Sequence, residues 1–107
     1  MISSDVIRGY NDLIILSLLM DEPSYGYHIS KKIREISVDR YIIKETTLYS
    51  AFNRLMSQNF IESFSGKSEQ GRTRTYYKIT QAGRGYYRQK CDEWILTKDV
   101  INHFVKE

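Results

Sequence analysis

The chain has 107 residues, of which 27% are charged and 41% hydrophobic, and its formal net charge is +3. This composition is typical of one globular domain and excludes an intrinsically disordered chain. The longest apolar run, Leu13 to Met20, is too short to span a bilayer, and no signal-peptide pattern precedes it. The single cysteine, Cys91, excludes an internal disulfide and favours a reducing compartment. We therefore expect a cytoplasmic protein that does not associate with membranes.

Three helices are predicted in the first half of the chain. Dense apolar residues predict a helix from Asp5 to Met20, and Pro23 prevents its continuation. Apolar residues at helical spacing predict a second helix from Tyr25 to Ile36, with Ser24 as its N-cap. The connector 37–44 contains Tyr-Ile-Ile, which could form a minor strand.

The third predicted helix begins at a Thr46 cap and has two different faces. Leu48, Phe52 and Leu55 repeat at helical spacing and form an apolar stripe with Met56. The opposite face carries only small or polar side chains: Thr47, Ser50, Asn53, Arg54 and Ser57. A helix of this kind needs a polar partner or solvent along its outer face.

Two strands and a long helix follow. The period changes from helical to extended after residue 59, and Phe60–Phe64 and Arg74–Ile79 are predicted strands of a hairpin with a polar loop. Thr80 then caps a final helix from Gln81 to about Val105. The segment from Lys67 to Lys90 contains seven basic residues and one acid. Such a concentrated charge suggests an anionic partner, although composition alone would favour the alternative of a solvated charged surface.

The order of these elements predicts a mainly α-helical fold with a small β-hairpin, the winged helix-turn-helix. In this fold the third helix enters the DNA major groove, where Thr47, Ser50, Asn53 and Arg54 could reach base edges. The hairpin, or wing, would neutralise phosphates through Lys67, Arg72 and Arg74. The alternative is a winged-helix module that binds a protein partner instead of DNA.

The final helix carries an apolar seam. Its residues step by four and three positions, with one polar exception at Lys98: Tyr87, Cys91, Trp94, Lys98, Ile101 and Val105. The simplest partner for this seam is a second copy of the chain, which gives a two-fold dimer. The alternative is that the helix folds back on its own domain. We predict a DNA-binding domain over residues 1–80, whose N-terminal helix also lies near the dimer interface, and a dimerisation helix over 81–107. The two recognition helices of the dimer would require a near-palindromic operator.

Three blocks of the sequence stand out: PSYGYHISKKI (23–33), TTLYSAFNRLMSQNFI (46–61) and GRTRTYYKITQAG (71–83). Together they resemble the PadR family of transcriptional regulators. The resemblance implies a winged helix with C-terminal dimerisation, and a single final helix is similar to the short subgroup. It also implies a repressor that small aromatic molecules release from double-stranded DNA.

The family's motifs add residues to the predicted DNA interface. The YGY motif implies that Tyr25 and Tyr27 hold the second helix near DNA, and the TLY motif implies that Tyr49 reaches the backbone. The full set is Tyr25, Tyr27, Lys31, Thr46, Thr47, Tyr49, Ser50, Asn53, Arg54, Lys67, Arg72 and Arg74. Two positions depart from the family pattern: Asn59 and Phe60 stand where a glycine is usual, and Ser50 where proline is common.

Trp94, the only tryptophan, is the candidate ligand contact. The resemblance implies that a tryptophan here lines a cavity at the dimer interface and stacks on planar aromatic molecules. Leu13 and Ser17 could line the same space, and Lys98 would disfavour cationic ligands. Plain packing of the dimer seam is the competing interpretation. No metal, cofactor or catalytic arrangement is predicted, so we do not expect an enzyme.

Overall fold

A computed structural model describes residues 1–106 and confirms a mainly helical fold with one antiparallel hairpin. In chain order the elements are α1 (Ser4–Ile7), a 3₁₀ turn (Arg8–Tyr10), α2 (Asn11–Leu19), α3 (Gly26–Ile36), α4 (Glu45–Ser57), β1 (Ile61–Lys67), β2 (Thr73–Ile79) and α5 (Gln81–Asn102). None of the helices in this part of the chain has the length and hydrophobicity needed to cross a membrane.

The first predicted helix is divided in two, which corrects the prediction of one helix from Asp5 to Met20. The chain tightens into a 3₁₀ turn at residues 8–10, and α2 begins only at Asn11. Gly9 lies in this turn, and glycine is a poor helix former. The side chains of Asn11 and Asp12 are both buried at the start of α2.

Two predicted N-caps are also wrong. Ser24 does not cap α3, because its backbone pairs with Tyr77 of β2 through two hydrogen bonds of 3.0 and 2.7 Å. Tyr25 occupies the cap position without a side-chain bond. Thr46 lies inside α4, whose cap position is taken by Lys44, again without a side-chain bond.

The connector before α4 is not a strand. Tyr41 and Ile43 are buried and Ile42 is 42% exposed, so burial alternates along this segment as it would in a strand. The segment does not pair with any strand of the described residues, and it is therefore not part of a sheet. The strands of the hairpin extend further towards the loop than predicted, and their register pairs Ile61 with Ile79 and Lys67 with Thr73.

Helix α4 ends on a left-handed residue that is not glycine. Asn59 has φ 63°, its N–H donates to the carbonyl of Met56 at 3.0 Å, and the N–H of Phe60 donates to Leu55 at 2.9 Å. These two bonds form a Schellman motif. Asparagine tolerates this conformation better than most residues, which explains why the family's usual glycine can be absent here.

The core lies between α2, α3, α4 and the hairpin. Leu16, Ile29, Phe52 and Leu55 are fully buried, and Phe52 stacks on Tyr77 of β2 with ring centroids 4.0 Å apart. This stacking fixes the hairpin against the inner side of α4, so the outer side of α4 stays free of the core.

Helix α5 packs on the core at its start and projects beyond it. The Thr80 side chain accepts a hydrogen bond from the N–H of Gly83 at 3.0 Å, which confirms the predicted cap. The helix ends at Asn102, so Val105 lies beyond it, which corrects the predicted end. The radius of gyration is 15.1 Å, compared with about 13 Å expected for a compact chain of this length. The distal part of α5 and the residues after it expose many apolar side chains: Trp94, Ile95, Leu96, Val100, Ile101, Phe104 and Val105.

Candidate nucleic-acid interface

The outer face of α4 is open and polar. Leu48, Ala51, Phe52 and Leu55 point into the core, and the opposite side is formed by Thr46, Thr47, Ser50, Asn53, Arg54 and Ser57. All of these outer residues are exposed except Thr47, which is half-buried. Glu45 is the only acidic residue of α4, so an approaching phosphate chain meets little repulsion along this face.

Arg54 is held by an acidic residue of another helix. Its guanidinium forms an ion pair with Oδ1 of Asp12 on α2, and the Tyr86 hydroxyl of α5 donates to Oδ2 of the same carboxylate at 3.0 Å. Burial, followed by this bond to Asp12, raises the pKa of Tyr86 to about 12. Half of the Arg54 side chain remains exposed (48%), so Asp12 fixes its position at the edge of the polar face without covering it.

The start of α3 is packed tightly against α4. A Cβ atom on Gly26 would lie 2.3 Å from the hydroxyl oxygen of Tyr49, so a larger residue here would require the Tyr49 ring to move. Tyr49 also contacts Phe52 edge to face and stays partly exposed. Tyr27 is 72% exposed, and Lys31 follows one turn later on the same side of α3.

The two faces of the wing differ. Side chains alternate along a strand, so Lys67 and Thr73 share a face with the core residues Ile61 and Tyr77. Arg74 lies on the other face, where its guanidinium carbon is 3.9 Å from the centroid of the Tyr25 ring. Lys67 and Arg74 therefore lie on opposite faces of the wing, and Arg74 contacts Tyr25 at the start of α3.

A short turn presents Arg72 at the tip of the wing. The N–H of Ser68 donates to the Arg72 carbonyl at 2.8 Å, and the Ser68 hydroxyl accepts from the Arg72 N–H at 3.2 Å. Gly71 has φ 80°, a conformation that favours glycine. These bonds order the loop and leave the Arg72 side chain exposed.

Sequence reasoning missed two groups of polar residues, one on the wing and one beside α4. Ser65 and Thr75 are paired on the same wing face as Lys67, and the period-two alternation could have identified them. Arg8 and Asn11 line a cleft with Thr47 and other residues of α4. Their proximity follows from tertiary packing and leaves no local signal in the sequence.

The predicted ligand residues lie in two places. Trp94 is 41% exposed and meets Tyr10 edge to face, with ring centroids 5.2 Å apart. Leu13 and Ser17 line a separate apolar groove of about 240 Å³ between α2 and α3, which Trp94 does not line. Lys98 is exposed one turn beyond Trp94.

The predicted seam of α5 changes character along its length. Tyr87 and Cys91 are half-buried near the core, whereas Ile101 and Val105 are more than half exposed. A hydrogen bond with Cys91, and secondly burial, raise the pKa of Tyr87. Among residues 1–106, no three His, Cys, Asp or Glu side chains are grouped as metal ligands would be.

A helical core followed by a hairpin that flanks an exposed polar helix defines a winged helix-turn-helix protein, a DNA-binding fold. Residues 15–89 match the family model described as the transcriptional regulator PadR-like family. Because this match covers most of the chain, the chain belongs to that family, and it is a transcriptional regulator by family.

Solved structures and one curated relative are similar over nearly the full length. A transcriptional regulator from Clostridium thermocellum is 61% identical, with a TM-score of 0.90, and the match covers 99% of this chain and 100% of that one. A PadR family transcription regulator from Clostridium difficile is 37% identical, with a TM-score of 0.80 over 92% of this chain and 100% of that one. An uncharacterized protein from Lysinibacillus sphaericus is 40% identical over 99% of this chain and 97% of its own length.

Proposed function

We propose that this PadR-family regulator is a cytoplasmic homodimeric repressor that binds a near-palindromic operator. The observation that carries this proposal is the exposed polar outer face of α4, a helix with a single acid, together with the exposed cations Lys67 and Arg72 of the wing. Thr47, Ser50 and Asn53 would contact base edges, and the wing cations would contact phosphates. No catalytic role is part of the proposal.

Dimerisation is supported by the exposed apolar side chains of α5. Trp94, Ile101 and Val105 are each between 41% and 60% exposed, and a contiguous apolar surface of this kind is typical of an interface. Pairing of two α5 helices about a two-fold axis would bury these side chains and place two α4 helices for adjacent major grooves.

The proposed inducer is a small planar aromatic molecule that contacts Trp94. Half of this indole is free in the single chain, and the dimer would place two such rings near each other. Binding between the α5 helices would change the separation of the two recognition helices. The ligand would then shift the population away from the DNA-binding arrangement.

The direct test is binding to duplex DNA from upstream of the protein's own gene, measured by fluorescence anisotropy at two salt concentrations. We expect affinity that falls steeply with salt, because phosphate contacts release counterions. Asn53→Ala should lower the affinity for the operator more than the affinity for a scrambled duplex. Gln89→Ala, which changes an exposed residue of α5, should lower neither affinity. Absence of binding, or an affinity that does not depend on salt concentration, would favour a winged-helix module that binds a protein partner instead.

The ligand proposal has its own test. Because Trp94 is the only tryptophan, its fluorescence reports on this site alone. Planar aromatic compounds should quench the emission and lower operator affinity over the same concentration range. If no compound of a chemically diverse panel does both, the ligand proposal is wrong and the repressor proposal remains.

A further inference from the structure

A polar groove runs between the N-terminal segment and the beginning of α4. It consists of two adjoining cavities of about 250 and 320 Å³ that share four lining residues: Arg8, Asn11, Thr46 and Thr47. Ser50 and Arg54 extend the groove along α4, and Lys44 and Ser4 extend it the other way. Its walls therefore bring cationic groups and hydroxyls to one side of the proposed recognition helix.

Asn11 supplies an amide donor to this groove. Its side chain is only 6% exposed, and its Oδ1 accepts a hydrogen bond from the Tyr41 hydroxyl at 2.6 Å. Within residues 1–106, the amide nitrogen of Asn11 donates to no protein group at hydrogen-bond distance. An amide on the cavity wall whose oxygen is already engaged and whose nitrogen is free can donate to an anionic oxygen.

The two arginines of the groove differ in how firmly they are held. Arg8 pairs with Asp5 at 2.9 Å, but both side chains are more than three-quarters exposed, so a phosphate can replace this partner at little cost. Arg54 is held by Asp12, whose two oxygens are occupied by Arg54 and Tyr86. A fixed guanidinium and an exchangeable one thus border the same cavity.

We propose that this groove binds a phosphate group of the DNA backbone, held by Arg8, the amide nitrogen of Asn11 and the hydroxyl of Thr47. DNA is favoured over a free phosphate because Thr47, Ser50 and Arg54 belong both to the groove and to the outer face of α4. A duplex against that face would carry one of its strands past the groove. The inference rests on the proposed DNA-binding function and adds the N-terminal segment to the interface.

The test compares Arg8→Gln with Arg88→Gln, which removes the same charge from an exposed site on α5. Affinity for the upstream duplex and for a scrambled duplex is measured over a series of salt concentrations. Arg8→Gln should lower the affinity for both duplexes by about tenfold at low salt. It should also reduce the slope of log K against log salt by about one. Arg88→Gln should keep the wild-type slope.

A second variant tests the amide donor of Asn11. Asn11→Asp keeps an oxygen for the Tyr41 hydroxyl and replaces the donating nitrogen with an acceptor. It should therefore lower the affinity for both duplexes at least as much as Arg8→Gln does. Thermal melting shows whether each variant is folded. The wild-type Asn11 side-chain NH₂ resonance should also shift in the NMR spectrum when duplex DNA is added.

The outcomes separate the inference from the proposed function. If the wild type binds DNA and Arg8→Gln keeps the wild-type slope, the groove is not a backbone site, although the protein still binds DNA. If inorganic phosphate at matched ionic strength gives a saturable shift of the Asn11 resonance and DNA gives none, the groove serves a small anion and the inference is wrong. If the wild type binds no duplex, the proposed function itself fails.

Discussion

The Tyr86 hydroxyl donates to the Asp12 carboxylate at 3.0 Å, and the same carboxylate pairs with Arg54. One acid thus joins α2, α4 and α5. The contact links the polar helix α4 to the long final helix α5 through a residue of α2.

Asp12→Ala should destabilise the fold. The change leaves Arg54 and Tyr86 without their shared acceptor, and the loss of such partners at a mostly buried site costs about 1–3 kcal/mol. Urea denaturation measures the effect. Asp39→Ala is the matched control, because its ion pair with Arg34 is mostly exposed and should be worth less than about 1 kcal/mol. Equal effects of the two variants would show that Asp12 is not a structural contact.

Stability should depend on Tyr86 at alkaline pH. Its pKa rises from 10.0 to about 12 on folding, so the folded state favours the protonated phenol. The resulting stability is fully present below pH 10 and is lost as pH rises towards 12. Between pH 9 and pH 11, the free energy of unfolding should therefore fall more in the wild type than in Tyr86→Phe. Parallel pH profiles for the two proteins would contradict this prediction.

Two glycines of α5 should respond in opposite ways to alanine. A Cβ on Gly83 would lie 2.0 Å from the carbonyl oxygen of Phe60, whereas one on Gly85 would meet no atom within 4 Å. Gly83→Ala should destabilise the protein by more than about 2 kcal/mol, since backbone must move. Gly85→Ala should stabilise it by about 0.5–1 kcal/mol through helix propensity. Melting temperatures should move down and up respectively, and a Gly83→Ala variant with wild-type stability would refute the close contact.

Val38 should be a site of backbone strain. It follows α3 with φ 54°, a conformation that is unfavourable for a β-branched residue, and its side chain is 72% exposed. Val38→Gly should therefore stabilise the fold by about 1 kcal/mol. Asn59→Gly, at a similar φ of 63°, should change stability less because asparagine accepts this region. Chemical denaturation of both variants distinguishes the two cases.

A charge on the α5 seam should break the dimer. Ile101 is 54% exposed in the single chain, and Ile101→Glu would place a carboxylate in the proposed interface, where its desolvation is costly. Sedimentation should show monomers and operator affinity should fall together. Gln89→Glu introduces the same charge on the other side of the helix and should leave the dimer intact. A dimeric Ile101→Glu protein would place the interface elsewhere.

Much of the fold could be predicted from local patterns. The apolar spacing of Leu48, Phe52 and Leu55 identified α4 and its buried side, and Thr80 identified the start of α5. The predicted caps at Ser24 and Thr46 were wrong, because residue type alone does not determine where a helix begins. The backbone of Ser24 pairs with β2 instead, and Thr46 lies inside α4.

The site was predictable only in part. The outer face of α4 followed from periodicity, whereas the contact between Arg54 and Asp12 joins residues 42 positions apart. The groove at Asn11 depends on a hydrogen bond from Tyr41, 30 positions away. Neither separation leaves a repeat or motif in the sequence. For the same reason, the stacking of Arg74 on Tyr25 could not be anticipated from the positive charge of the wing.

The backbone bridge between Ser24 and Tyr77 also bears on solubility. An unpaired strand edge can pair with a strand of another molecule and start aggregation. Ser24 occupies part of the inner edge of β2, so the hairpin's main unpaired edge in residues 1–106 is the outer side of β1. That strand carries Glu62 and Lys67, and charges on an edge strand discourage such pairing. The exposed edge of the hairpin is thereby discouraged from pairing with the hairpin of another molecule.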